Sequence, residues 1–98
     1  MSLKEYKNVY AKNGISVEKK KQGIKLTYDG LLAKSGADVV YASYGYGDKW
    51  LSRAIHEMHR TGHGFEITIP TNENVTNVVF KDSANNWDNN SGRNYSFG

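Results

Sequence analysis

The sequence predicts an all-β fold, a single antiparallel β-sandwich of roughly seven to ten short strands. Three observations carry this. Short segments alternate apolar with polar residues, as in Ile24-Lys-Leu-Thr-Tyr28 and Phe65-Glu-Ile-Thr-Ile69. Clusters of turn-forming residues separate these segments at short intervals, which breaks the chain into strand-sized pieces. The chain has 98 residues and no Cys, so one domain must hold together by packing and backbone hydrogen bonds alone.

Taken in order, residues 1–23 are Lys-rich and poorly periodic, with Asn13-Gly14 and Gln22-Gly23 marking turns. They read as a loosely attached arm or as one edge strand at Ile15-Ser-Val17, ahead of a binding domain over 24–98. The two alternating segments above read as half-buried strands with one wet face. Val39-Val-Tyr-Ala-Ser-Tyr44 and Val75-Thr-Asn-Val-Val-Phe80 are richer in β-formers and read as inner strands. Turn chemistry lies at Tyr28-Asp-Gly30, Lys34-Ser-Gly-Ala37, Gly45-Tyr-Gly47, Gly62-His-Gly64 and Pro70-Thr-Asn-Glu-Asn74. Between 51 and 63 the pattern is ambiguous. Leu51, Ile55 and Met58 have helical spacing, yet so short an isolated helix has little stability in water, which favours extended structure.

The formal charge of +3 is unevenly spread. Residues 1–25 hold seven Lys against two Glu, and the remaining 73 residues hold six basic and eight acidic groups. A protein that binds single-stranded nucleic acid interleaves basic residues with stacking rings; here the two are segregated, so nucleic acid is not the expected partner. No window approaches the roughly 20 apolar residues of a membrane span, and Met1-Ser-Leu-Lys lacks the apolar core of a signal peptide. Neither a membrane partner nor a cofactor is expected.

The C-terminal stretch Phe80-Lys-Asp-Ser-Ala-Asn-Asn-Trp-Asp-Asn-Asn-Ser-Gly-Arg-Asn-Tyr95 surrounds one tryptophan with amides. Amides meet hydroxyls that both donate and accept, and a flat ring packs on the C–H face of a sugar. This composition points to carbohydrate. A Trp in so small a domain is often core, but Asn85, Asn86, Asp88, Asn89 and Asn90 are costly to bury unpaired, which places the Trp87 ring at the surface. The polar loop Gly45-Tyr-Gly-Asp-Lys49 argues likewise for Trp50. Asp88, Asn89 and Asn90 are expected to divide their side chains between capping their own loop and meeting ligand. Tyr28, Tyr41, Phe65 and Phe80 lie within strand patterns and read as core.

Several of these segments together carry a family resemblance. Val39-Val-Tyr, Gly45-Tyr-Gly, Trp50, Met58, Gly64-Phe65-Glu, Ile69-Pro70, Val79-Phe80-Lys-Asp82, Trp87-Asp-Asn-Asn90, Gly92 and Asn94-Tyr95 resemble the starch-binding carbohydrate-binding modules of family 25 and the related family 53, over residues 24–97. The resemblance implies a non-catalytic, immunoglobulin-like β-sandwich that binds starch, glycogen or maltooligosaccharide, often joined to an amylase-type catalytic domain. It also implies that Trp50 and Trp87 stack on successive glucoses. The family's usual His in the strand before the first Trp is Ser43 here, and Tyr44 or Tyr46 is the candidate replacement rim. Such modules are extracellular when part of a secreted enzyme and cytoplasmic in a stand-alone glycogen-binding protein.

Competing constellations are weaker. His56, His59 and His63 have three-ligand potential for zinc, but His56-Glu-Met-His59 is one residue short of the His-Glu-x-x-His spacing, and Gly62 and Gly64 discourage a helix. No Gly-x-Ser-x-Gly, Cys nucleophile or obvious carboxylate pair nominates an enzyme. Asp82 and Asp88 lack the regular acidic spacing of a calcium loop. The alternatives that stay open are a small β-barrel binding single-stranded nucleic acid and an Ig-like protein-interaction module that uses the same aromatics as hot spots.

Overall fold

The computed structural model describes residues 10–98; the expectations for residues 1–9 lie outside the described residues. Two antiparallel sheets pack face to face. The first is ordered β1 (Ile15–Lys20), β2 (Gly23–Tyr28), β6 (Gly64–Pro70), β5 (His59–Thr61). The second is ordered β4 (Leu51–Glu57), β3 (Val40–Tyr46), β7 (Thr76–Asp82), β8 (Trp87–Asp88), and β9 (Tyr95–Phe97) also pairs with β7. A single helical turn, α1 (Leu31–Lys34), crosses from β2 to β3.

Period-two alternation decides which residues fill the space between the sheets. In β2, Ile24, Leu26 and Tyr28 point inward and are fully buried, while Lys25 and Thr27 face out. The partner strand β6 turns Phe65 and Ile69 inward and leaves Glu66 to form an ion pair with Lys25 at 3.5 Å on the wet face. Across the sandwich, β3 contributes Val40, Ala42 and Tyr44, and β7 contributes Val78 and Phe80. Tyr28 stacks on Phe80 with ring centres 4.2 Å apart, which ties the sheets at the centre of the core.

The N-terminal segment is part of this core from residue 15 on. β1 pairs with β2 over the full register from Ile15↔Tyr28 to Lys20↔Gly23, and Ile15 is buried. Residues on both sides of position 23 therefore belong to one hairpin, and Ile15–Lys20 is an edge strand with its charged side chains in solvent. Residues 51–61 are extended as expected: Leu51 and Ile55 lie exposed on edge strand β4, Ala54 packs partly against the core, and Met58 turns fully into it. The turn chemistry at 34–37 hides α1, whose Leu32 buries against the sandwich and whose backbone N–H donates to the Tyr28 hydroxyl at 3.0 Å.

Candidate carbohydrate-binding face

Two loops set side chains on the outer face of the second sheet. After β7, Asp82 builds a tight turn. Its carboxylate accepts from the backbone N–H groups of Ala84 and Asn86 at 2.9 Å each and from the Asn86 side chain at 2.9 Å. The Asn86 contacts lead in holding the Asp82 carboxyl below its ordinary pKa. The chain thus returns with Trp87 opposite Lys81 and Asp88 opposite Phe80. Directly opposed residues share a face, so Trp87 joins Lys81 outside and Asp88 joins Phe80 inside. Sequence neighbours are thereby divided, with Trp87 49 % exposed and Asp88 only 7 %.

Trp50 arrives differently. The β3–β4 turn is held by Gly47, whose N–H donates to the Val75 carbonyl at 2.8 Å and whose carbonyl accepts from the Asn77 side chain at 2.9 Å. Trp50 takes a left-handed backbone at φ 52 and Ser52 at φ 54, a conformation that costs a bulky residue on the order of 1 kcal/mol. The half-buried ring lies against β3 because Gly45 has no side chain. A Cβ there would stand 2.9 Å from Trp50 Cε3 and 3.0 Å from its Cα. Gly45→Ala should therefore push the indole off the strand and cost about 1–3 kcal/mol, read as a lowered urea midpoint together with an altered near-UV tryptophan signal.

The two tryptophans flank a shallow depression of ≈ 380 Å³. Val79 forms its floor, and Ser43, Trp50, Arg53, Trp87, Asn89 and Asn94 line it. In β3, Ala42 and Tyr44 face inward and Tyr41 and Ser43 outward; Tyr41, read as core from its strand pattern, is therefore on the outer face because alternation pairs it with Ser43, and Ser43 stands on the face that carries both tryptophans. Arg53, Asn94 and Val79 are additions that sequence reading missed. Val79 was accessible from its parity, since it pairs with Ser43; Arg53 was not, because the β3–β4 register shifts between Tyr44 and Tyr46.

Three side chains expected at the ligand are placed otherwise. Tyr44 and Tyr46 are buried core residues and not rim: alternation turns Tyr44 inward with Ala42, and the Tyr46 hydroxyl donates to the Pro70 carbonyl. Asp88 is turned away from the surface. It accepts from the Tyr28 hydroxyl at 2.6 Å and from the Tyr95 hydroxyl at 2.7 Å, a buried junction between the two sheets and the loop. Burial first, and the bond to Asp88 second, raise both phenols above their ordinary pKa. Asn90 donates its side-chain amide to the Asn94 carbonyl at 3.0 Å, which caps its own loop, and it also lines an open depression beside Trp87 and Asn89. Asn89 accepts from the Gly92 N–H at 2.9 Å and also lines the depression, which serves both uses.

The remaining constellations do not converge here. His56 is on β4, His59 on β5 in the other sheet, and His63 in the turn that follows. Among the described residues no three His, Asp or Glu are grouped so as to hold a metal ion, and both Asp82 and Asp88 spend their oxygens on protein donors. Compared against family models, curated proteins and solved structures, the chain matches none of them.

Proposed function

We propose that this protein is a non-catalytic carbohydrate-binding module for a starch- or glycogen-type α-glucan, with Trp50 and Trp87 as stacking platforms and Ser43, Asn89 and Asn94 as hydrogen-bonding partners. One observation carries the reading: tryptophans 37 positions apart in sequence meet at a single open depression that is otherwise lined largely by hydroxyl and amide groups. Rings carried by two separate segments, the β3–β4 turn and β8, offer platforms for two glucoses of one α-glucan chain. Aromatic contacts at about 0.5–1.5 kcal/mol each, with a few hydrogen bonds near 1 kcal/mol net, correspond to micromolar to millimolar affinity. The left-handed backbone at Trp50, unusual for so bulky a residue, supports the same reading, since such strain gathers where a side chain is held for use.

The finer fold assignment belongs to this proposal. Lettered in chain order, the strands run A-B-E-D in one sheet and C′-C-F with the G strands beside F in the other, the order of an immunoglobulin-like sandwich. A covalently linked or associated amylase-type domain is the partner that such a module would serve.

The test is tryptophan fluorescence. Maltooligosaccharides should change the emission in a saturable way, and cello-oligosaccharides of the same length should leave it flat. An equal response to both removes the α-glucan assignment. Salt-resistant binding of single-stranded nucleic acid would favour the nucleic-acid alternative instead.

A further inference from the structure

Resting on the carbohydrate reading above, we infer that the glucan this face selects is anionic, carrying phosphate or carboxylate groups, and that Arg53 and Lys81 recognise that charge. Each platform has a cation over it. The Arg53 guanidinium lies 5.7 Å from the centre of the Trp50 ring. The Lys81 ammonium lies 5.7 Å from Trp87 and 5.0 Å from Tyr41.

Neither cation forms an ion pair with a carboxylate among the described residues; the Lys81 ammonium donates to the Asp82 backbone carbonyl at 3.0 Å, which leaves its other protons for a ligand. Of the acids nearest Lys81, two are committed and one is distant. Asp88 faces inward to two phenols, Asp82 holds its own turn, and Glu57 pairs with Tyr41 on the edge strand, at the other end of the row from Trp87. The lining of the depression therefore carries one positive charge and no negative one, with Lys81 beside it.

This arrangement discriminates between sugars. A glucose ring that stacks on the face of a tryptophan where its cation lies displaces that cation. A neutral sugar returns nothing for the cation–π contact it removes. An anionic substituent gives the displaced group a charge-assisted hydrogen bond, and Arg can meet phosphate or carboxylate through two parallel bonds. Stacking and charge recognition then reinforce each other, with the rings fixing the sugar plane and the cations reading its substituent.

Calorimetric titration of the full chain tests this with three ligands of equal length: maltoheptaose, maltoheptaose phosphorylated on its primary hydroxyls, and maltoheptaose oxidised there to carboxylates. At about 20 mM salt at least one charged ligand should bind about tenfold tighter than the neutral one, and the advantage should shrink at about 150 mM. The stronger of the two identifies the substituent. Arg53→Gln/Lys81→Gln, checked for folding by circular dichroism, should remove the difference between charged and neutral ligands. Lys19→Gln/Lys21→Gln, away from this face, should retain it.

Measurable but equal affinity for all three would overturn the inference and leave the carbohydrate reading standing. An advantage lost in the Lys19/Lys21 variant and kept in the Arg53/Lys81 variant would assign it to the basic edge strand, and would also overturn the inference. Binding of none of the three would remove both readings.

Discussion

Asp88→Ala should cost about 3–5 kcal/mol of folding stability, because it leaves two buried phenol hydroxyls without an acceptor and removes two hydrogen bonds to a carboxylate. For a domain of this size that is a fall of roughly 15–30 °C in the unfolding midpoint. The Tyr28 hydroxyl sits in the core and donates to Asp88 at 2.6 Å, and Tyr95 does the same at 2.7 Å. Neither has solvent to turn to. Asp88→Asn keeps one carbonyl acceptor and should lose less. Thermal unfolding by circular dichroism distinguishes this structural role from ligand contact, since a residue that only met sugar would leave the midpoint unchanged.

The same junction sets the alkaline limit. Unfolded tyrosines lose their proton near pH ~10, whereas folded Tyr28 and Tyr95 are held well above that, first by burial and then by the bond to Asp88. Above pH ~10 the unfolded state therefore binds fewer protons than the folded one, and stability falls as pH rises. It is fully present below that point. The urea midpoint should be flat from about pH 7 to about pH 9 and decline beyond about pH 10, with a shallower decline in Tyr28→Phe/Tyr95→Phe.

Trp87→Ala should reverse the Asp88 pattern, weakening maltooligosaccharide binding by about fivefold to tenfold and changing stability by no more than about 1 kcal/mol. The ring is 49 % exposed and its strand is only two residues long, so truncation opens no cavity. A buried tryptophan would cost about 3–5 kcal/mol. A loss on that scale, or unchanged affinity, would end its role as platform. Because Asp88 is the next residue, the pair forms an internal control: neighbouring substitutions with opposite signatures are expected only if the strand divides them between surface and core.

Local pattern was enough to establish the strands. Ile24–Tyr28 and Phe65–Ile69 alternate with a period of two, and the segments around Tyr41 and Val78 are rich in β-formers; both signals are properties of neighbouring residues, readable without knowing what they pack against. Strand parity put Ser43 on the face opposite Tyr44, and the polar neighbours of Trp87 put its ring at the surface. The rest depended on pairing across the chain. Whether Asn89 and Asn90 cap a loop or face a ligand depends on where Gly92 and Asn94 lie. That Asp88 is a buried acceptor depends on Tyr28, 60 residues away. Tyr44 and Tyr46 look like exposed loop aromatics beside two glycines, yet β3 runs on through Tyr46 in unbroken register with β7, so alternation turns both into the core with Ala42. Periodicity reports which side of a strand a residue takes. Only the second sheet, closing over one side, decides which side is inside and which polar groups find their partners there.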